Sequence, residues 1–258
     1  MTAPSYPQPT GMLSGKTMLI TAAAGSGIGG ATARRAAEEG ARLYLSDTHE
    51  RRLNETACAI AAAGFERPDI GICNVTDEAQ VQETVADAIA RLGHVDILVN
   101  NAGLGGAASV IDMTDEQWSS VLDVSLTSVF RMTRAILPYM YARGSGAIVN
   151  NASVLGWRAQ KLQAHYAAAK AGVMAFTRCA AMEAAEHGVR INAVSPSLAM
   201  HAALDKVTPP GLLEELTRRE AMGRYAEPWE IGNVILFLAS DLSSYMTGEA
   251  LSVSSQHP

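Results

Sequence analysis

Three cysteines in 258 residues are too few and too scattered to staple a fold. Cys58, Cys73 and Cys179 include no pair with metal-ligand spacing, and the six histidines show no His-x-x-x-His pattern. Neither a disulfide framework nor a metal site is expected. The thiols read as reduced and partly buried, which points to a reducing, cytoplasmic compartment. Positive charge is also in deficit: 20 Lys and Arg stand against 26 Asp and Glu, a net charge of −6. That balance argues against a nucleic-acid or anionic-membrane surface. No apolar run reaches the roughly 18 residues that a membrane-spanning helix needs. Residues 1–12 hold prolines but no apolar segment of a signal peptide, and are expected to form a flexible tail. The chain shows no composition break and no repeat, so residues 13–258 are expected to form a single domain.

Hydrophobic residues make up 48% of the chain, ample for one large core. Short apolar runs alternate with longer helical patterns. Strands are expected at Thr17–Thr21, Arg42–Ser46, Asp69–Cys73, Val95–Asn100, Ala147–Asn151, Val189–Val194 and Ala250–Val253. Between them, helices are expected over Ile28–Glu39, about Glu50–Ala63, from a Thr76 cap to Leu92, and from a Thr114–Gln117 capping box to Arg143, bent near Pro138. Two more are expected over Gln163–Glu186 and Pro228–Ala239. Nearly continuous apolar strands alternating with helices imply an α/β fold, a parallel sheet covered on both faces. The irregular stretch 197–225, with Pro209, Pro210 and Gly211, is placed to act as a substrate lid holding one or two short helices.

Tyr166 and Lys170 lie four residues apart on an expected helix, which puts them on one face. An ammonium near a phenol favours phenolate and lowers the tyrosine's pKa. Ser153, thirteen residues before Tyr166 and just past a strand, can hold a substrate oxygen. Together they are the parts of a proton-transfer site at an alcohol or carbonyl. A second pattern follows the first strand: Ala22-Ala23-Ala24-Gly25-Ser26-Gly27-Ile28-Gly29-Gly30 leads into a helix. Glycines there let a pyrophosphate approach backbone N–H groups at the helix N-terminus. Asp47 ends the second strand, where a carboxylate accepts both ribose hydroxyls and repels a 2′-phosphate. NAD is therefore expected in preference to NADP.

From residue 13 to 254 these patterns resemble the short-chain dehydrogenase/reductase (SDR) family. Gly27-Ile28-Gly29 resembles the end of its glycine loop, and Asn100-Asn101-Ala102-Gly103 its motif after the fourth strand. Ser153, Tyr166 and Lys170 match its catalytic triad, and Ile191-Asn192-Ala193-Val194-x-Pro196 its motif after the sixth strand. The resemblance implies a Rossmann-type doubly wound seven-stranded sheet of order 3-2-1-4-5-6-7 and assembly as a homotetramer or dimer. It implies Tyr166 as general acid/base, Lys170 as its tuning residue and ribose ligand, and Ser153 on the substrate oxygen. Cofactor contacts are implied for Gly25, Ser26, Gly27, Ile28, Gly29, Asp47, Asn101, Ala102, Gly103 and Pro196, and for Tyr166 and Lys170 themselves.

Four positions depart from the family pattern. The glycine loop carries one extra residue, with Ala22 or Ala23 in place of the first glycine, so the turn must bulge using Gly25. Ser125 stands where the family has an asparagine that supports a water relay to the lysine. Ser197 replaces a glycine after Pro196, and His201 aligns with a threonine, fitting either lid packing or a cofactor contact. Asn74, followed by Val75, stands where an aspartate meets the adenine, and its amide can serve as donor and acceptor. Arg158 and Lys161, in the loop before Tyr166, fit either an anionic substrate such as a CoA ester or solvent. The expected activity is NAD-dependent interconversion of a secondary alcohol and a ketone on a small, hydrophobic substrate, steroid-derived or acyl-CoA. The competing expectation is a dinucleotide-binding regulatory or scaffold protein that has lost turnover.

Overall fold

The central strands of this protein are apolar on both sides, and the two sides pack against different helices. Along β1 (Thr17–Thr21), Met18 and Ile20 enter one core, while Leu19 enters the other. The same alternation splits Leu43 and Leu45 from Tyr44 on β2 (Arg42–Asp47). It also splits Ile97 and Val99 from Leu98 on β4 (Ile97–Asn100). Successive side chains of a strand point to opposite faces, so continuous hydrophobicity means burial on both. The computed structural model describes residues 4–200 and 211–255.

With β3 (Asp69–Ile72), β5 (Gly146–Asn151), β6 (Val189–Pro196) and β7 (Ala250–Val253), the strands make one parallel sheet of order β3-β2-β1-β4-β5-β6-β7. One core is covered by α1 (Ile28–Glu38), α2 (Glu50–Ala62) and α8 (Pro228–Ala239), the other by α3 (Glu78–Leu92), α5 (Ser128–Arg143) and α6 (Ala164–Ala185). The chain leaves β3 at one edge and returns beside β1 as β4. The crevice past the carboxyl ends of β1 and β4 is thus the switch point where open α/β sheets bind ligands.

Several expected boundaries move. Asp77, not Thr76, caps α3, its carboxylate accepting the N–H groups of Ala79 and Gln80. β4 starts at Ile97 rather than Val95. α5 continues through Pro138, the position of the expected bend, on its exposed side, where water can reach the carbonyl freed by proline's missing N–H. The irregularity lies earlier, in a π-helical turn at Asp123–Thr127 between α4 (Asp115–Leu122) and α5. Cys58 and Cys179 are exposed and only Cys73 is buried. The described part of the irregular stretch 197–225 holds α7 (Leu212–Arg219).

The N-terminal segment, expected as a loose tail, is docked from Tyr6 onward. The Tyr6 phenol donates to Glu38 at 2.8 Å and its ring meets Trp229 edge-on. The backbone N–H groups of Thr10 and Met12 donate to Glu39, itself fully buried against Arg35.

Candidate active site

Between β1 and α1 the chain turns through residues 22–27. Ala22 takes a left-handed conformation (φ 51°), as does Gly25 (φ 87°). The bulge expected at Gly25 is therefore shared with an alanine in the place of the usual first glycine. Such a backbone persists only where neighbours hold it. Asn101, just past β4, donates its amide to the carbonyls of Ala22 at 3.0 Å and Thr21 at 3.2 Å. Asp47 accepts the Ala24 N–H at 3.1 Å. Gly25, expected among the cofactor contacts, turns its N–H to the Thr56 hydroxyl at 2.9 Å.

The first helical bond of α1 runs from Ala31 to Gly27, and the N–H groups before it are the free donors of a helix start. A side chain at Gly29 would strike the Ala22 carbonyl and the Asn101 amide, and one at Gly30 the Gly25 carbonyl. Around Gly27 the space is open, and Ser26 is exposed beside it. These features fit a pyrophosphate at Ser26, Gly27, Ile28 and Gly29. The two Asp47 oxygens each accept one backbone N–H, from Ala24 and from His49 at 3.0 Å. One lone pair remains on each, which fits a ribose diol. Asn74 is less versatile than expected: its side-chain oxygen already accepts the N–H and hydroxyl of Thr76, at 3.1 and 2.9 Å. Its amide nitrogen is the group left for an adenine, and Val75 beside it is buried.

Across the switch point, β5 delivers Ser153 and the start of α6 delivers Tyr166 and Lys170. The Ser153 hydroxyl faces the Tyr166 phenol and accepts the Leu155 N–H at 3.2 Å. Lys170 is 2% exposed, lies 5.6 Å from the Tyr166 ring centre, and donates to the Asn151 carbonyl at 2.6 Å. Burial pushes the Tyr166 phenol above its ordinary pKa, with the Ser153 hydroxyl working the other way. Burial also pulls Lys170 down to about 8. The expected lowering of the tyrosine by its lysine is therefore not a property of the protein alone. Gly103 lies beside both Lys170 and Ser125: a Cβ there would be in ordinary contact, 3.5 Å from Nζ and 3.9 Å from the serine hydroxyl. One glycine thus sits between the expected relay residue and the lysine.

A family model described as enoyl-(acyl carrier protein) reductase matches residues 22–255. The chain belongs to the short-chain dehydrogenase/reductase family. This SDR chain is 62% identical over 249 residues to the Mycobacterium tuberculosis (5R,7aS)-5-hydroxy-7a-methyl-1-oxo-2,3,5,6,7,7a-hexahydro-1H-indene-carboxyl-CoA reductase, covering 96% of this chain and 95% of that one. It is 40% identical over 242 residues to the 3-oxoacyl-(acyl carrier protein) reductase of Thermotoga maritima, covering 93% and 97%. The crystal structure of a short chain dehydrogenase from Mycobacterium smegmatis superposes with a TM-score of 0.89 at 54% identity, covering 100% of this chain and 99% of that one. The chain is an oxidoreductase of a family that uses nicotinamide dinucleotides, and these relatives lend no support to a chain without turnover.

In this SDR member, Ser125 is fully buried in the π-helical turn. Its hydroxyl accepts the Leu104 N–H at 2.9 Å and donates to the Leu104 carbonyl at 3.0 Å. Its only proton is therefore spent on the loop that follows Gly103, and the hydroxyl has none to give a water. Ala102 is buried, with its N–H on the Thr21 hydroxyl at 3.2 Å. Pro196 ends β6, and His201 lies outside the described residues. Arg158 donates to the Ser254 hydroxyl at 2.9 Å. Among the described residues, no group of three or more His, Cys, Asp or Glu could hold a metal. No helix there is long and apolar enough to cross a membrane.

Sequence reasoning missed the polar ladder under the site. Asn100 donates to Asn150 at 2.9 Å, Asn150 to Thr177 at 2.9 Å, and Asn151 to Asn101 at 2.9 Å. The signal was an Asn-Asn pair at the carboxyl ends of both β4, where Asn101 lies just past the strand, and β5, which are neighbours in register. Thr56 carried no signal, because only folding brings α2 to the glycine loop.

Proposed function

We propose that this chain is an NAD(H)-dependent oxidoreductase that interconverts a secondary alcohol and a ketone on a hydrophobic, CoA-linked ring substrate. The observation that carries the chemistry is the convergence of Ser153, Tyr166 and Lys170 beside the switch-point crevice. The substrate class follows the 62% identical relative, named for a hydroxylated, fused-ring CoA ester. NAD is favoured by the Asp47 carboxylate, which offers two acceptors to a ribose diol and repels a 2′-phosphate. When bound, the nicotinamide supplies a hydride to the carbonyl carbon, or takes one from the alcohol carbon.

The chain's own residues handle the proton and the oxygen. Ser153 donates a hydrogen bond to the substrate oxygen and holds it against the phenol. In reduction, Tyr166 gives its proton to that oxygen as the carbonyl becomes an alcohol. Its raised pKa keeps the proton in place at neutral pH, which suits the reductive direction. Lys170, charged below about pH 8, stabilises the phenolate left behind. Ser125 fixes the loop after Gly103 instead of feeding protons to Lys170. The catalytic domain spans residues 13–258, with 197–225 as its lid, and works in the cytoplasm as a homo-oligomer, a dimer or tetramer.

The test is a screen for NADH oxidation against fused-ring keto-CoA esters, steroid-derived ketones and 3-oxoacyl-CoA esters, repeated with NADPH. Turnover of the ring CoA esters with NADH is expected. No turnover of any ketone, or a preference for NADPH, would overturn the reading or its cofactor assignment respectively.

A further inference from the structure

The glycine loop of this chain is held in place from three directions, and one holder lies on an element with no other part in the site. Ala22 is tied by Asn101 at the end of β4, and Ala24 by Asp47 at the end of β2. Gly25 is tied by Thr56, from the second turn of α2. The Thr56 hydroxyl accepts the Gly25 N–H at 2.9 Å and donates its own proton to the Arg52 carbonyl at 2.9 Å. Both polar directions of that hydroxyl are thus used, and its rotamer is fixed by the α2 backbone.

The extra residue between Thr21 and Gly27 gives this tie its importance. The longer turn carries left-handed conformations at Ala22 and Gly25, and it reaches sideways to α2. Gly25 is exposed, and a Cβ there would meet nothing within 4 Å, so packing does not hold it. Hydrogen bonds must do so. A loop already fixed in its binding conformation loses less freedom when a ligand arrives.

We infer that Thr56 is a positioning residue for the dinucleotide: it latches the bulged glycine loop to α2 so that the N–H groups of Gly27, Ile28 and Gly29 face the pyrophosphate. This rests on the dinucleotide reading of the site. Asp47 is held by other atoms, so the choice between NAD and NADP is independent of the latch.

The experiment is titration of the intact protein with NADH and with NADPH, followed by cofactor fluorescence, for wild type, Thr56→Val, Thr56→Ala and Thr56→Ser. Valine keeps the shape of threonine and removes the acceptor. Thr56 is partly exposed, so both non-polar variants are expected to fold. Loss of one neutral hydrogen bond at an exposed loop predicts NADH affinity weakened about three- to tenfold in Val and Ala. Serine should restore it. The NADH-to-NADPH ratio should stay constant across the series, with the loss carried by the KM for cofactor rather than by kcat. Unchanged affinity in Val and Ala would overturn the latch, as would a fall in melting temperature and kcat at constant affinity, which marks a merely structural role. Absence of binding by the wild type would instead overturn the dinucleotide reading itself.

Discussion

Two titrating side chains in the site are moved by the same cause in opposite chemical senses. Burial disfavours charge, so it raises Tyr166 and lowers Lys170, each toward its neutral form. For Lys170 the folded pKa of about 8 lies below the ordinary value of 10.5. The unfolded chain therefore binds more protons between these values, and stability rises with pH across that window. In the cofactor-free protein the full span is worth about 3 kcal/mol. Above pH 10 the raised Tyr166 works the other way, because its stabilisation is lost as the unfolded phenol ionises. Denaturant melts of wild type between pH 7 and 10 should show the rise, and Lys170→Met should flatten it. The phenol's own role predicts that Tyr166→Phe lowers kcat by about 10²- to 10⁴-fold. NADH affinity in that variant should stay within about twofold, since the pyrophosphate and ribose contacts lie elsewhere. Wild-type-like turnover in that variant would exclude Tyr166 as the acid.

At the scale of elements, the site depends on how closely strand ends and helix starts approach. Gly29 sits where α1 crosses the end of β1, against the Ala22 carbonyl and the Asn101 amide. Neither neighbour is a flexible side-chain end: one is backbone, and the other is locked by three hydrogen bonds. Gly29→Ala is therefore expected to cost about 1–3 kcal/mol of stability and to weaken NADH binding at least about tenfold. Thermal melts and cofactor titration check it. A variant with normal affinity would show that α1 can shift without disturbing the loop. The π-helical turn at Asp123–Thr127 has a comparable function. Within it, Ser125 reaches the loop after Gly103.

Across the whole molecule, the site and its main anchor lie at opposite ends of the sheet. Arg35, 2% exposed, bonds Glu38, Glu39 and Asn233, joining α1 to α8. The second Glu39 oxygen takes Thr10 and Met12 from the N-terminal segment. Removing residues 1–12 would leave that buried carboxylate short of partners, at about 2–4 kcal/mol. For a chain of this size the melting temperature should fall by about 5–15 °C. Turnover at 25 °C should persist, because the glycine loop lies at the other end of α1. An unchanged melting temperature would mean that the segment contributes nothing to the fold.

The sequence by itself determined which elements form and which chemistry they carry. Doubly buried strands need unbroken apolar runs, helix starts need caps, and a phenol and lysine four residues apart share a helix face. Those are local rules, and they placed β7 at Ala250–Val253 and α8 at Pro228–Ala239 to the residue. Only the tertiary structure decided what spans elements. The tyrosine's pKa follows from burial, which depends on everything packed around it. Ser125 is bound to Leu104, twenty-one residues away, and Thr56 to Gly25, thirty-one residues away. No periodicity records such pairings, because each is one hydrogen bond made when separate elements meet, and either partner alone reads as an ordinary residue of its own element.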